Sequence, residues 1–190
     1  MRKSNRNFQP ARYILDSKGC FIIEDYNQSK PFSNFFPGIA GLWGIPMWVF
    51  YVNRGQGITS FGVEGKDKAI LEFQPANKAY RITSLQGFRT FLKIQSGKKT
   101  FFWEPFQSDH TAIYKTSQRM RITSHDLTIE DINQTLGIQV RVNYFTLPEE
   151  SFPALVRRVT INNISKKKYS IELVDGLPAV VPFGLSDGLN

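Results

Sequence analysis

The side chains able to do chemistry are few, and their spacing assigns them no concerted task. Two histidines, His110 and His125, and one cysteine, Cys20, would need carboxylate help to bind zinc. No ligand spacing offers that help, so no metal site is expected. No Gly-x-Ser-x-Gly elbow or Walker loop occurs, and Gly55-Gln56-Gly57 lacks a third glycine and falls in a predicted hairpin, which removes the phosphate-loop reading. Among 16 acidic residues, Asp25, Glu104, Asp109 and Asp175 lie beside aromatic or glycine-rich stretches where an acid for glycosyl transfer would sit. Such an acid needs a second group facing it across a cleft, which spacing in an all-β chain does not reveal. Each is expected to solubilise a loop or edge strand. No catalytic residue and no cofactor is therefore assigned.

The aromatic residues are the better lead. Sugars are bound by stacking their C–H faces on aromatic rings while their hydroxyls seek planar polar groups. Trp43, Trp48, Tyr51, Phe101, Phe102 and Trp103 form two clusters in the sequence, with Arg54, Gln56 and Glu104 close by. Arg54 and Gln56 share a glycine-rich tip that stability alone would fill with Asn-Gly. These two are the first candidates for contact with substrate or a neighbouring domain, and Trp103 and Glu104 are the second. The competing readings are a solvated turn for the tip and core packing for the strand aromatics, Trp48 and Phe101 above all.

The elements that must position these residues read as strands nearly everywhere. Ile138, Val140, Val142 and Tyr144 alternate with Gln139, Arg141 and Asn143, the period-two pattern of a half-buried strand. Val159 and Ile161 follow between Arg158 and Thr160, and a polar reversal over 162–168 leads to Tyr169, Ile171 and Leu173, as in a lysine-tipped hairpin. Residues 47–52 are apolar on both strand faces, so that strand is expected at the centre of a sheet. The reversal over 53–57 then returns the chain into 58–61. Further strands are expected at 20–23, 68–73, 88–94, 100–103, 119–124 and 127–132, with a loop at 25–37. No amphipathic helix stands out. Many short strands between turn signals predict an all-β, antiparallel β-sandwich with few or no helices.

A chain of 190 residues with a hydrophobic fraction of 41% can bury one sizeable core, so a single domain over 1–190 is expected. The formal charge of +8 draws half its excess from Arg2, Lys3, Arg6 and Arg12, in a leading segment over 1–12 with no acidic residue before Asp16. That segment reads as a flexible basic arm, and no nucleic-acid partner is expected. A lone cysteine cannot form an internal disulfide, which favours a reducing, cytoplasmic setting. The apolar stretch over 38–52 contains Gly41, Gly44 and Pro46 and is too short for a membrane helix. Residues 176–190 read as the start of a further segment, and hence the chain as a fragment.

The order of motifs resembles one family, the cellobiose and chitobiose phosphorylases and related β-glucan phosphorylases, in their N-terminal sandwich region. Residues 48–80 carry the Asn53-Arg54-Gly55-Gln56-Gly57 reversal, Thr59-Ser60-Phe61 and Glu72-Phe73-Gln74-Pro75-Ala76-Asn77. They are similar to the family's hairpin with its Asn-Ala-Gly-Gly tip. Trp103-Glu104-Pro105 resembles its Trp-Gln-Pro. Tyr144-Phe145-Thr146-Leu147-Pro148 and Arg158-Val159-Thr160-Ile161-Asn162-Asn163-Ile164-Ser165 resemble its Tyr-Phe-Val-Pro turn and Leu-x-(apolar)-x-Asn-x-Ser hairpin. The resemblance runs from about 13 to 175. Glu104, Arg54 and Gln56 depart from the family's residues.

That resemblance implies a supersandwich of galactose-mutarotase-like build. It belongs to a parent enzyme, a glycosyltransferase that splits a β-linked glucan or disaccharide with inorganic phosphate and inverts the anomeric centre to give an α-sugar 1-phosphate. The general acid and most phosphate contacts would lie in a C-terminal helical barrel of the same parent chain, so these 190 residues would be inactive alone. A homodimer is implied for the parent, and a β-linked oligosaccharide as ligand. The alternative is a stand-alone carbohydrate-binding sandwich module.

Overall fold

The computed structural model describes residues 11–107 and 113–185. The expected basic arm through residue 10, Asp109 and His110 lie outside them. Thirteen strands and one α-helix are formed among the described residues. Every strand pairing is antiparallel, and the fold class matches the expectation. No helix there is long and apolar enough to cross a membrane, and no group of three or more His, Cys, Asp or Glu is placed to hold a metal ion.

One layer is a six-stranded sheet. It runs β1 (Arg12–Leu15), β2 (Phe21–Glu24), β9 (Thr116–Ile122), β10 (Asp126–Asn133), β11 (Ile138–Thr146) and β12 (Leu155–Asn163) in spatial order. Its inner face follows from the alternation in β11, where Ile138, Val140, Val142 and Tyr144 are fully buried and Arg141 is exposed. The facing layer consists of two smaller sheets. Four strands, β3 (Ser33–Ala40), β4 (Ile45–Val52), β5 (Ile58–Val63) and β6 (Ala69–Leu71), make one. The other has β7 (Arg89–Ser96) between β13 (Ser170–Gly176) and β8 (Lys99–Trp103). A single core joins all three sheets, with Phe36, Val49 and Ile58 from the first small sheet, Leu92, Ile94 and Trp103 from the second, and Met120, Leu127 and Ile129 from the large one. Each such side chain contributes about 1.5–3 kcal/mol by leaving water.

Three local expectations are corrected. The segment expected as a loop over 25–37 ends in β3, which includes Pro37 paired opposite Trp48. Proline has no N–H to give a ladder, and β3 tolerates it because it is an edge strand. The expected hairpin over 162–168 does not close. β13 pairs with β7, Val174 opposite Phe91, so the chain crosses from one layer to the other after β12. Lastly, α1 (Ala76–Gln86) stands where no amphipathic helix was evident. It begins after Pro75, presents the small residues Ala79 and Thr83 to the outer face of the four-stranded sheet, and covers Phe50 and Val52 there.

Candidate functional site

The reversal over 53–57 is a tight corner between β4 and β5, and most of it is buried. Gly55 (φ 55°) and Gly57 (φ 83°) take the left-handed conformation that glycine adopts without strain. A side chain on Gly57 would come within 3.3 Å of Leu127 Cδ2, so the turn sits against the opposite layer. Asn53 is fully buried and ties down the preceding loop. Its Nδ2 donates to Ser29 Oγ at 2.6 Å and Lys30 O at 3.0 Å, and its Oδ1 accepts from the Phe32 N–H at 2.8 Å. Tyr26 Oη donates to Gly55 O at 2.7 Å.

Three of the four expected contact residues are tied into the fold by packing or hydrogen bonds. Gln56 is 2% exposed, donates to Thr90 Oγ1 at 2.8 Å and accepts from Arg157 Nη2 at 2.6 Å. Trp103 is equally buried, in the main core, and presents no ring face to solvent. Glu104 accepts a bidentate pair from Arg89, Nε to Oε1 at 2.6 Å and Nη2 to Oε2 at 2.9 Å. Arg89 is held above the usual guanidinium range first by that hydrogen bond. Gln107 adds a bond to Glu104 and another to Ser84 O. Gln56 and Glu104 thus converge at the start of β7, where they anchor the turn and the end of β8.

Arg54 is different. Its guanidinium lies over the Tyr80 ring, 5.3 Å from the centroid, and its Nη1 donates to Tyr80 O at 3.4 Å. Tyr80 in turn lines a depression of about 560 Å³ between the start of β3 and the first turns of α1. Asn77 and Arg81, on the exposed side of α1, and Ser33 and Phe32 complete its polar and apolar walls. Planar amide and guanidinium groups beside aromatic rings are the parts from which a sugar site is made.

An aromatic platform is built farther along β3, on the face it shares with Ser33. Phe35 lies two residues beyond Ser33, and Phe73 three residues before Ala76. The two rings stack at 5.9 Å with 17° between their planes and are 47% and 40% exposed. Phe50 and Trp48 support them from beneath and beside, at 4.7 and 6.3 Å from Phe35. The Trp48 indole donates to Gly65 O at 3.3 Å. Outside this platform Trp43 stands at the β3–β4 hairpin tip, 91% exposed.

Reading the sequence missed Tyr80, Asn77 and Arg81 because the helix that presents them was not evident. Pro75, standing just ahead of the helix, was the available signal. No protein-family model matches the chain, and no curated protein matches it.

Proposed function

We propose that this chain is a non-catalytic, glycan-contacting β-sandwich of the kind that glycoside phosphorylases carry ahead of their helical barrel. Its ligand is a β-linked gluco-oligosaccharide, and the depression at Tyr80 together with the platform at Phe35 and Phe73 is where that ligand lies. The observation that carries the glycan reading is the depression in which Tyr80 meets Asn77 and Arg81, with Arg54 laid over the Tyr80 ring. Ring faces offer stacking to the sugar C–H faces, and the planar groups offer donors and acceptors to its hydroxyls. The order of motifs supports the phosphorylase parent, with bond cleavage by inorganic phosphate assigned to residues outside these 190.

Calorimetric titration of cellotetraose into the chain tests the site. Binding that weakens about tenfold or more in Tyr80→Ala and in Phe35→Ala supports it, whereas heat unchanged by both substitutions, or no heat at all, overturns it. Incubating the chain with cellobiose and phosphate tests the non-catalytic assignment. Formation of a sugar 1-phosphate by these residues alone would refute it.

A further inference from the structure

The outer face of the six-stranded sheet carries a second polar site, on the layer opposite the depression and independent of it. The register places side chains there in rows that run across the strands. In one row Glu24, Arg119, Glu130, Arg141 and Thr160 stand in successive strands. Its charges alternate and are satisfied within the row: Arg119 Nε bonds Glu24 at 2.8 Å, Arg141 bonds Glu130 at 2.7 Å, and Glu130 is 3% exposed between the two arginines.

The adjacent row is built differently. Arg121, Thr128, Asn143 and Arg158 lie opposite one another in β9 to β12, with a cation at each end and neutral donors and acceptors between. Asn143 Nδ2 donates to Thr128 Oγ1 at 2.8 Å, and to Asp126 Oδ2 at 3.4 Å. Asp126 also accepts from Thr123 Oγ1. Among the described residues neither terminal arginine has a carboxylate partner. Arg121 Nε is closed to solvent and has no hydrogen-bond acceptor among the described residues, and Arg158 lies over the Phe145 ring at 5.3 Å. A depression of about 410 Å³ opens over the row, walled by Glu130 and Arg141 of its neighbour.

We infer that this row binds an acidic oligosaccharide, a sugar chain bearing carboxylate groups. Arg121 and Arg158 are three strand spacings apart, about 14 Å between backbones, too far for one small anion to satisfy both in their extended positions. Carboxylates on non-adjacent sugar units meet both guanidiniums in forked, charge-assisted pairs. The hydroxyl of Thr128 and the amide of Asn143 then face the sugar hydroxyls between them. Single-stranded nucleic acid fits the row less well, because no aromatic residue is among the described residues that wall this depression and its bases would find no ring to stack on.

Titration of the chain with tetragalacturonate in low salt tests this, with cellotetraose, inorganic phosphate and an octathymidylate as parallel probes. Tetragalacturonate is expected to bind, to weaken about tenfold in Arg158→Ala and in Arg121→Ala, and to be lost in the double variant. Added salt lowers the affinity. Both arginines project from the outer face, and unchanged thermal unfolding shows each variant folded. The inference fails if tetragalacturonate does not bind, if the double variant binds as well as the parent, if cellotetraose binds at this row with equal affinity, or if octathymidylate binds more tightly. Binding of phosphate alone with the same losses would also overturn it, since the row would then hold only a small anion. Tyr80→Ala leaves this binding unchanged, which separates the two sites.

Discussion

Arg157 on β12 and Asp175 on β13 form a forked ion pair between strands that belong to different sheets, Nη1 to Oδ2 at 2.5 Å and Nη2 to Oδ1 at 2.8 Å. The pair closes the seam the chain opens when it crosses between layers. Burial pushes the Asp175 carboxyl up, and the hydrogen bonds from Arg157 and Thr90 outweigh it and hold the group below the usual range. Arg157 also lies over the Phe88 ring at 4.9 Å. The guanidinium is therefore gripped on its edge and its face.

Removing Arg157 leaves Asp175 charged and half-enclosed with no counter-ion. Arg157→Ala is expected to cost about 2 kcal/mol, because it removes hydrogen bonds to Asp175, Gln56 and Thr90 while water partly solvates the charge left on Asp175. Urea unfolding of the two proteins measures it. A loss below about 1 kcal/mol would mean the seam is held by its apolar contacts alone.

Gln56 supports the same seam from the β4–β5 turn, through Arg157 and Thr90. Gln56→Ala is expected to lower stability by about 1–2 kcal/mol and to leave cellotetraose binding intact. The same titration that detects the loss in Tyr80→Ala would reveal a direct role for Gln56. Equal loss in both would return Gln56 to the contact surface.

What was legible in the sequence follows from which interactions are local. β11 buries one face, so alternation marked it, and the two-faced apolar β4 announced its central place. The partner of β13 was not legible. Ile171 and Leu173 alternate equally well against β12 or β7, and only the pairing of Asp175 with Arg157 and the ladder to β7 separate the choices. α1 escaped because Ala79 and Thr83, small and four residues apart, form its buried stripe. A period of large apolar residues is the usual signal, and none exists there. For the site, burial decided what spacing could not. Gln56 and Arg54 are two residues apart on one turn, yet one points into the seam and the other over Tyr80.

Asp131 gives the fold a pH dependence near neutrality. It faces the core from β10, and burial raises its carboxyl to about 7 against the pull of hydrogen bonds from the Phe106 N–H and Gln118. Its Oδ1 has no hydrogen-bond donor among the described residues, so the ionised carboxyl holds unpaired charge there that a proton removes. The folded pKa exceeds the unfolded one, near 4. Stability from this group is therefore complete below about pH 4 and is lost as pH rises through about 7. The melting temperature should fall between pH 5 and pH 8. Asp131→Asn should flatten that fall, and an unchanged slope would assign the dependence to another group.

The two layers approach closely where β3 passes β11. A side chain at Gly38 would place its Cβ 2.2 Å from both Thr146 Cγ2 and Thr146 Oγ1, and 2.7 Å from Thr146 Cβ. Thr146 cannot swing aside without loss, because its Oγ1 donates to Ile39 O at 3.2 Å and the residue is 9% exposed. The hairpin tip is fixed on the same side, with the Gly41 N–H on Leu147 O at 3.1 Å and the Glu149 N–H on Gly41 O at 3.2 Å. Strand β3 therefore has little room to retreat. Gly38→Ala is expected to destabilise by about 2–3 kcal/mol through overpacking. Combining it with Thr146→Gly removes the clashing atoms, so the double variant should lose less than the sum of its single losses. Denaturant unfolding of the four proteins of this cycle measures the coupling, and strict additivity would show that β3 and β11 do not meet at Gly38.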